Sequence, residues 1–470
     1  MPTSISVYLM AADRATMRYI RRRTATGNEV HVTEQTLPHV VILGAGFAGI
    51  AVAQELSRQF PEETQCRLTL VDQNDFSLFT PLLTEVVGGE VDAEAIVGAV
   101  RALAPRCSFE QGRVEHIDAA AKTVTLSIGG EDSAVPPAER TVRCDHLVIA
   151  LGSVVNYRDI SGLREHSLGA KSIDQALAIR NRALALLERA DEESDAAVRR
   201  RLLTFVVGGG GFSGVETMAA LNDLVRASVQ RYPGINPSDI RTVLVHPRDR
   251  LLPELSAGLA NYSQRQLEQR GVEVLLQTSI TGAGPDWAEI KPKSGDDEKR
   301  IATHAFIWTG GVTPAPVVAD AGLKLGHHHG VTVDGSCAVT DHPGVWALGD
   351  CAEVPHANGQ SSYAPTAQNA TREGAMVGRN IAASIRGEAL RTFTYQSIGE
   401  LAIVGKRTGV AQIYGLRFSG IVAWVMWRAI YLAKLPGTAK KVRVGLDWLI
   451  DAIFDRDVVA LPGEAGGSEG

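Results

Sequence analysis

Glycine recurs in two places at a spacing that suits a diphosphate. Gly44, Gly46 and Gly49 form one G-x-G-x-x-G turn, and Gly209, Gly211 and Gly214 form a second. In such a turn the first glycine permits a tight bend. The second lets the backbone approach a pyrophosphate, and the third lets a helix pack close to a strand. The N–H groups at the helix start, with the positive end of its dipole, then face the phosphates. Asp72 stands about twenty residues beyond the first turn, where a carboxylate accepts hydrogen bonds from a ribose. The equivalent position after the second turn holds His246, followed by Pro247 and Arg248. A carboxylate there would hold the 2′-hydroxyl of NAD, whereas a nearby arginine accommodates a 2′-phosphate, so NADH against NADPH stays open. A His246 that bonds the ribose or faces solvent is an equally good reading. Glu216, two residues past Gly214, is open in the same way, because a first-turn glutamate is favoured by the helix dipole alone.

Other reactive groups point elsewhere. Cys66, Cys107, Cys144, Cys337 and Cys351 form no CxxC or CxxxxC pair, which disfavours a dithiol relay and fits a reducing compartment. His327, His328 and His329 lie in a glycine-flanked loop. Three consecutive residues rarely converge on a metal, so a solvated loop is expected and no metal site is assigned. The acidic run Asp191 to Asp195 beside Arg199, Arg200 and Arg201 reads as a solvated, salt-bridged helix end.

The turns need elements to hold them. His39–Leu43 is a β-branched strand leading into the first turn; a helical pattern from Ile50 to Phe60 and a strand at Arg67–Val71 come after it. Leu202–Val207, the pattern Val215–Leu224 and the strand Arg241–Val245 repeat that order around the second turn. Two apolar strands end at Gly152 and Gly310, suited to close backbone approach to a cofactor. A third, from Val345, places Gly349 and Asp350 at the carboxyl edge of a parallel sheet, with Asp350 able to cap a following helix. The fold class expected is α/β, with two Rossmann-like dinucleotide-binding domains and a C-terminal membrane-associating segment.

Composition sets the outer bounds. The chain has 470 residues, 45% hydrophobic and 21% charged, which excludes disorder and leaves room for two or three domains. A net charge of −6 offers no basic field for nucleic acid. The most apolar run, Phe418–Trp427, is stopped by Arg417 and Arg428 and is too short to span a bilayer. Residues 1–37, with Arg14, Arg18 and Arg21 to Arg23, read as a flexible or mis-started leader in preference to a targeting segment, since a secretory signal would place charge before an apolar core. Near the other end, Leu446, Leu449, Ile450, Ile453 and Phe454 fall on one helical stripe. Asp447, Asp451, Asp455 and Asp457 lie largely off it and Trp448 borders it. Such a helix lies in the plane of a bilayer or packs on its own domain or a dimer partner. Lys440, Lys441 and Arg443 supply the positive charge for the first choice.

The two glycine turns, with Trp346 to Asp350, resemble the two-dinucleotide-domain flavoproteins. That resemblance implies FAD in a first domain split in sequence and NAD(P)H in an inserted second one. It places Asp72 at the adenine ribose and Asp350 at the ribityl–pyrophosphate region of FAD. The narrower match is to type II NADH dehydrogenases, single-subunit NADH:quinone oxidoreductases. Phe79 to Gly89 is similar to their apolar segment beside the flavin. Pro365 to Ala370 matches their AQxA pattern, which puts Ala367 at the cofactor and Gln368 at the quinone end of the isoalloxazine. Gly420 to Asp457 is similar to their C-terminal run. By this resemblance Glu216 sits near the nicotinamide–flavin junction, orienting the cofactor or assisting proton transfer.

The resulting expectation is a non-proton-pumping NAD(P)H:quinone oxidoreductase of the respiratory chain. It would be peripheral on the cytoplasmic face of the membrane and homodimeric. Its domains are expected as an extension 1–37, FAD-binding parts 38–160 and 316–392, an NAD(P)H domain 161–315 and a C-terminal domain 393–470. Alternatives are a reductase of a specialised quinone such as a phylloquinone precursor, a sulfide:quinone reductase built on Cys144 and Cys337, and a redox sensor of the apoptosis-inducing-factor type.

Overall fold

The computed structural model describes residues 17–18, 35–129, 138–295, 297–356, 359, 361–454 and 459. The leader expected at 1–37 falls almost wholly outside them, as do Asp455 and Asp457. Two compact units divide the chain. One takes the residues to Asp75, Ala99–Gly152 and Pro314–Thr394; the other takes Phe76–Gly98, Ser153–Thr313 and the residues from Tyr395.

In the first unit five parallel strands lie in the order Val345–Ala347, His146–Ile149, His39–Leu43, Arg67–Asp72 and Ser108–Gln111. The central strand reads as a continuous apolar run because both faces are covered, and Val40 to Leu43 are fully buried. An antiparallel meander, Arg113–Asp118, Thr123–Ile128 and Ala138–Arg143, interrupts the chain before the strand His146–Ile149. The helix Phe47–Gln59 lies against the helix Ala367–Arg386 at a distance only glycine permits. A Cβ on Gly374 would stand 2.4 Å from the Ala48 carbonyl oxygen, and one on Gly378 2.7 Å from the Glu55 Cβ.

The second unit repeats the plan. Its parallel strands run Leu168–Gly169, Ala305–Trp308, Thr204–Gly208, Arg241–Val245 and Val272–Leu275, with a meander at Thr278–Gly284, Trp287–Pro292 and Lys299–Ala302. The acidic run from Asp191 serves backbone more than it pairs with arginine. Asp195 caps the helix Ala196–Leu202 by accepting the Ala197 and Val198 N–H groups, Asp191 accepts the Gly234 N–H, and Arg201 pairs instead with Asp286 at 2.7 Å.

Three antiparallel strands, Gly399–Gly405, Thr408–Ile413 and Leu416–Gly420, precede two helices, Ile421–Lys434 and Thr438–Ile453. These helices are built inside out. Val444, Trp448 and Asp451 are buried, whereas Leu446, Leu449, Ile450, Ile453 and Phe454 are 52 to 66% exposed. The preceding helix likewise buries Ala423, Trp427 and Arg428 and exposes Ile421, Val422 and Val425. The expected apolar stripe exists, and it faces outward. No helix among the described residues is long and apolar enough to cross a membrane.

Candidate functional site

Each glycine of the first turn does a different job, and the geometry separates them. Gly44 has φ +99°, and a Cβ there would lie 2.3 Å from the Ala150 carbonyl oxygen. A Cβ on Gly49 would fall 1.8 Å from the Gly44 carbonyl oxygen, so only glycine lets the helix start this close to the strand. A Cβ on Gly46 would meet nothing within 4 Å, because that side of the turn is open. Gly46 is the N-cap of the helix Phe47–Gln59, with no side-chain cap and no acid in the first turn. A helix start of this kind offers its first N–H groups to an anion. Asp72 braces the turn: Oδ2 accepts the Ala45 N–H at 2.7 Å and Oδ1 the Asn74 N–H at 2.8 Å. Burial pushes its carboxyl up, and these backbone donors pull it back.

The other residues expected around this cradle reach it from two more chain segments. Gly152 (φ +67°) follows the His146–Ile149 strand, with open space where a side chain would be. Gly349 (φ +71°) and Asp350 follow Val345–Ala347 at the carboxyl end of the sheet. Asp350 does not cap a long helix as expected. It lies in a single 3-10 turn, Gly349–Cys351, and the next helix begins only at Ala367. Thr366 caps that helix by accepting the Asn369 N–H, so Ala367 and Gln368 form its first turn, both half-buried. Glu373 was not anticipated. Its Oε2 accepts the Gly349 N–H at 2.8 Å, and burial raises its carboxyl to about 7 against that hydrogen bond.

The second cradle is a near copy. Gly209 has φ +120°, a Cβ on Gly214 would fall 1.8 Å from the Gly209 carbonyl oxygen, and Gly211 opens onto empty space. Thr309 clamps it, its Oγ1 donating to the Gly208 carbonyl at 3.0 Å. His246 takes the place of Asp72, its Nδ1 accepting the Gly210 N–H at 2.9 Å. It is buried, which corrects the solvent-facing reading. Burial and the Arg248 charge lower its pKa, against smaller opposing effects from the Arg250 backbone and the Asp249 charge. Gly310 has a structural reason: a Cβ there would collide with the Trp308 ring at 2.0 Å, whose indole N–H donates to Asn156.

Glu216 is the fifth residue of the helix Phe212–Ser228, beyond the first turn, so the dipole does not account for it. Its Oε1 accepts the Ile403 N–H at 3.0 Å. Burial raises its carboxyl to about 8, against that donor and the nearby Trp427 indole. Tyr431, stacked edge-on to Trp427, is pushed above its usual range by burial and by Glu216.

A second buried carboxyl lies in this unit. Glu85 accepts the Trp448 indole N–H at 2.7 Å, while Arg428 pairs with Glu90 at 2.9 Å and lies 3.8 Å from Glu85. The guanidinium is stacked over the rings of Trp424 and Trp448. Burial and the Glu90 charge raise Glu85 well above the carboxylate range. Trp448, at the border of the stripe, is therefore an inward anchor. Arg443, expected to supply free positive charge, pairs with Asp92 at 2.7 Å.

The five cysteines are free thiols. Burial raises all of them, Cys66 and Cys144 to about 12, so none forms a thiolate near neutral pH. His327, His328 and His329 are exposed in their loop.

Two cradles that each leave a backbone diphosphate seat open fit two dinucleotides. Residues 38–374 match the family model described as pyridine nucleotide-disulphide oxidoreductase, and residues 398–457 match the NDH2 C-terminal domain. The type II NADH:quinone oxidoreductase NdhA of Mycobacterium tuberculosis is 30% identical over 87% of this chain and 86% of its own. The demethylphylloquinone reductase NdbB of Synechocystis is 27% identical over 89% and 97%. Among solved structures, NDH2 of Plasmodium falciparum in complex with NADH has a TM-score of 0.80 at 17% identity. It covers 89% of this chain and 99% of that one, a likeness of fold.

Proposed function

The chain belongs to the type II NADH:quinone oxidoreductase family, and from that footing we propose that it is an FAD-dependent, non-proton-pumping NAD(P)H:quinone oxidoreductase acting at a membrane surface. The duplicated cradle supports this reading most directly, since it provides one seat for a resident flavin dinucleotide and one for a reduced nicotinamide dinucleotide. FAD, when bound, supplies the two-electron chemistry between nicotinamide and quinone. The residues that would hold it are Gly46 with the helix amides behind it, Asp72 at the ribose, and Gly349 with Asp350 at the sheet edge. Glu373 keeps the Gly349 turn in place.

Two side chains are assigned roles in the reaction. Gln368 carries both a donor and an acceptor, which suits a quinone or flavin carbonyl. Glu216, with its pKa near 8, holds a proton at neutral pH that quinone reduction consumes. The outward apolar rows of the two C-terminal helices suit a lipid surface, where a quinone dissolves. A homodimer attached at the cytoplasmic face completes the reading.

Stopped-flow spectroscopy tests it. NADH should bleach a yellow protein, and a lipid-soluble quinone should restore its colour. A colourless purified protein, or recovery only through thiol chemistry, would defeat the proposal. Replacing Gln368 by Ala should slow reoxidation by quinone far more than reduction by NADH; equal losses in both steps would remove Gln368 from the acceptor side.

A further inference from the structure

We propose that the second cradle takes NADPH as well as NADH, with Arg248 meeting the adenosine 2′-phosphate. The assignment rests on reading that cradle as the reduced-nucleotide seat. Strand register makes His246 the counterpart of Asp72: Leu43 pairs with Val71 in one sheet and Gly208 with Val245 in the other, and each named residue comes directly after. The two side chains share the task of bracing the glycine turn, and they differ in what remains afterwards. A carboxylate oxygen that accepts one N–H has a further lone pair for a ribose hydroxyl, and its charge repels a phosphate. An imidazole has no such reserve. Nδ1 of His246 is spent on the Gly210 N–H, and Nε2 is enclosed on the side of the Arg250 backbone. The strand therefore ends without the acid that selects a free 2′-hydroxyl.

The segment just past the strand end is basic on balance. Pro247, Arg248 and Asp249 are exposed, and Arg250 is half-buried with its guanidinium donating to the Pro253 carbonyl. Arg248 is anchored through its backbone, its carbonyl accepting the Gln277 N–H at 2.9 Å. Among the described residues its guanidinium makes no hydrogen bond or ion pair. A planar, fork-shaped donor held at its backbone and free at its tip suits a phosphate monoester. Asp249 is the competing group, and a carboxylate from it to the 2′-hydroxyl would make the seat NADH-selective instead.

The test uses the purified holoprotein. Calorimetric titration compares adenosine 2′,5′-bisphosphate with ADP, and stopped-flow compares flavin bleaching by NADPH and by NADH. The bisphosphate is expected to bind at least as tightly as ADP, and NADPH to bleach the flavin. Arg248→Ala should lower the bisphosphate-to-ADP affinity ratio by about tenfold or more, the scale of a charge-assisted hydrogen bond. His246→Glu should shift the same ratio toward ADP, since a glutamate can still accept the Gly210 N–H. Bisphosphate binding more than tenfold weaker than ADP, or an unchanged ratio in Arg248→Ala, overturns the assignment. Bleaching by NADH alone overturns it and leaves the proposed function standing. Bleaching by neither nucleotide defeats that function itself.

Discussion

Glu216 and the third glycine of each turn make the most direct residue-scale predictions. A methyl group on Gly49 or Gly214 has to displace a carbonyl oxygen 1.8 Å away, and that atom belongs to the turn itself. Gly49→Ala should therefore cut retained flavin, and Gly214→Ala should weaken nucleotide binding, with little effect on the other cradle. Absorbance of the purified variants and nucleotide titration would check this. For Glu216 the sign depends on where the proton sits. Its folded pKa, about 8, lies above the ordinary 4.5, so the native state keeps a proton that the unfolded chain releases. Stability then falls as pH rises from the lower value through the higher one. Glu216→Gln stays neutral and can still accept the Ile403 N–H. Its melting temperature should decline less steeply over that interval than that of the parent protein. Parallel profiles would mean that no buried proton is held there. Glu373, raised to about 7, keeps part of the slope in both proteins.

At the scale of elements, one cationic side chain fastens the C-terminal helices. Arg428 neutralises Glu90, approaches Glu85 and lies between two tryptophan rings. Arg428→Ala leaves the largely buried Glu90 carboxylate uncompensated and should cost about 3–5 kcal/mol in denaturant unfolding. Combining it with Glu90→Gln should recover part of that loss; no recovery would mean that the stacking, not the ion pair, fixes the helix. The glycine turns were legible because six adjacent residues with a strand before and a helix after define them. The helical stripe at Leu446 to Phe454 was legible as a period. Its outward direction was not, because that is set by Glu85 and Trp448 meeting across 363 positions of chain. Glu373 escaped notice for the same reason, since its partner Gly349 lies 24 residues away with no local pattern joining them.

Across the whole molecule, the duplicated plan and the inverted C-terminal helices imply separable behaviours. Leu449→Asp with Ile453→Asp should abolish flotation with phospholipid vesicles while NADH still bleaches the flavin. Co-flotation at parental levels would assign the apolar rows to another partner. The order of strands along the chain carries one more consequence. The second sheet is complete once Trp308 has been synthesised, since all five of its strands lie between Leu168 and that residue. The first is still missing Val345–Ala347 at that moment, and the strand His146–Ile149 has a bare side. On the ribosome, the downstream sheet thus closes before the upstream one, leaving an unsatisfied ladder of amides and carbonyls on the nascent chain. Translation that stalls between these points should yield a polypeptide prone to edge-to-edge aggregation and dependent on chaperones.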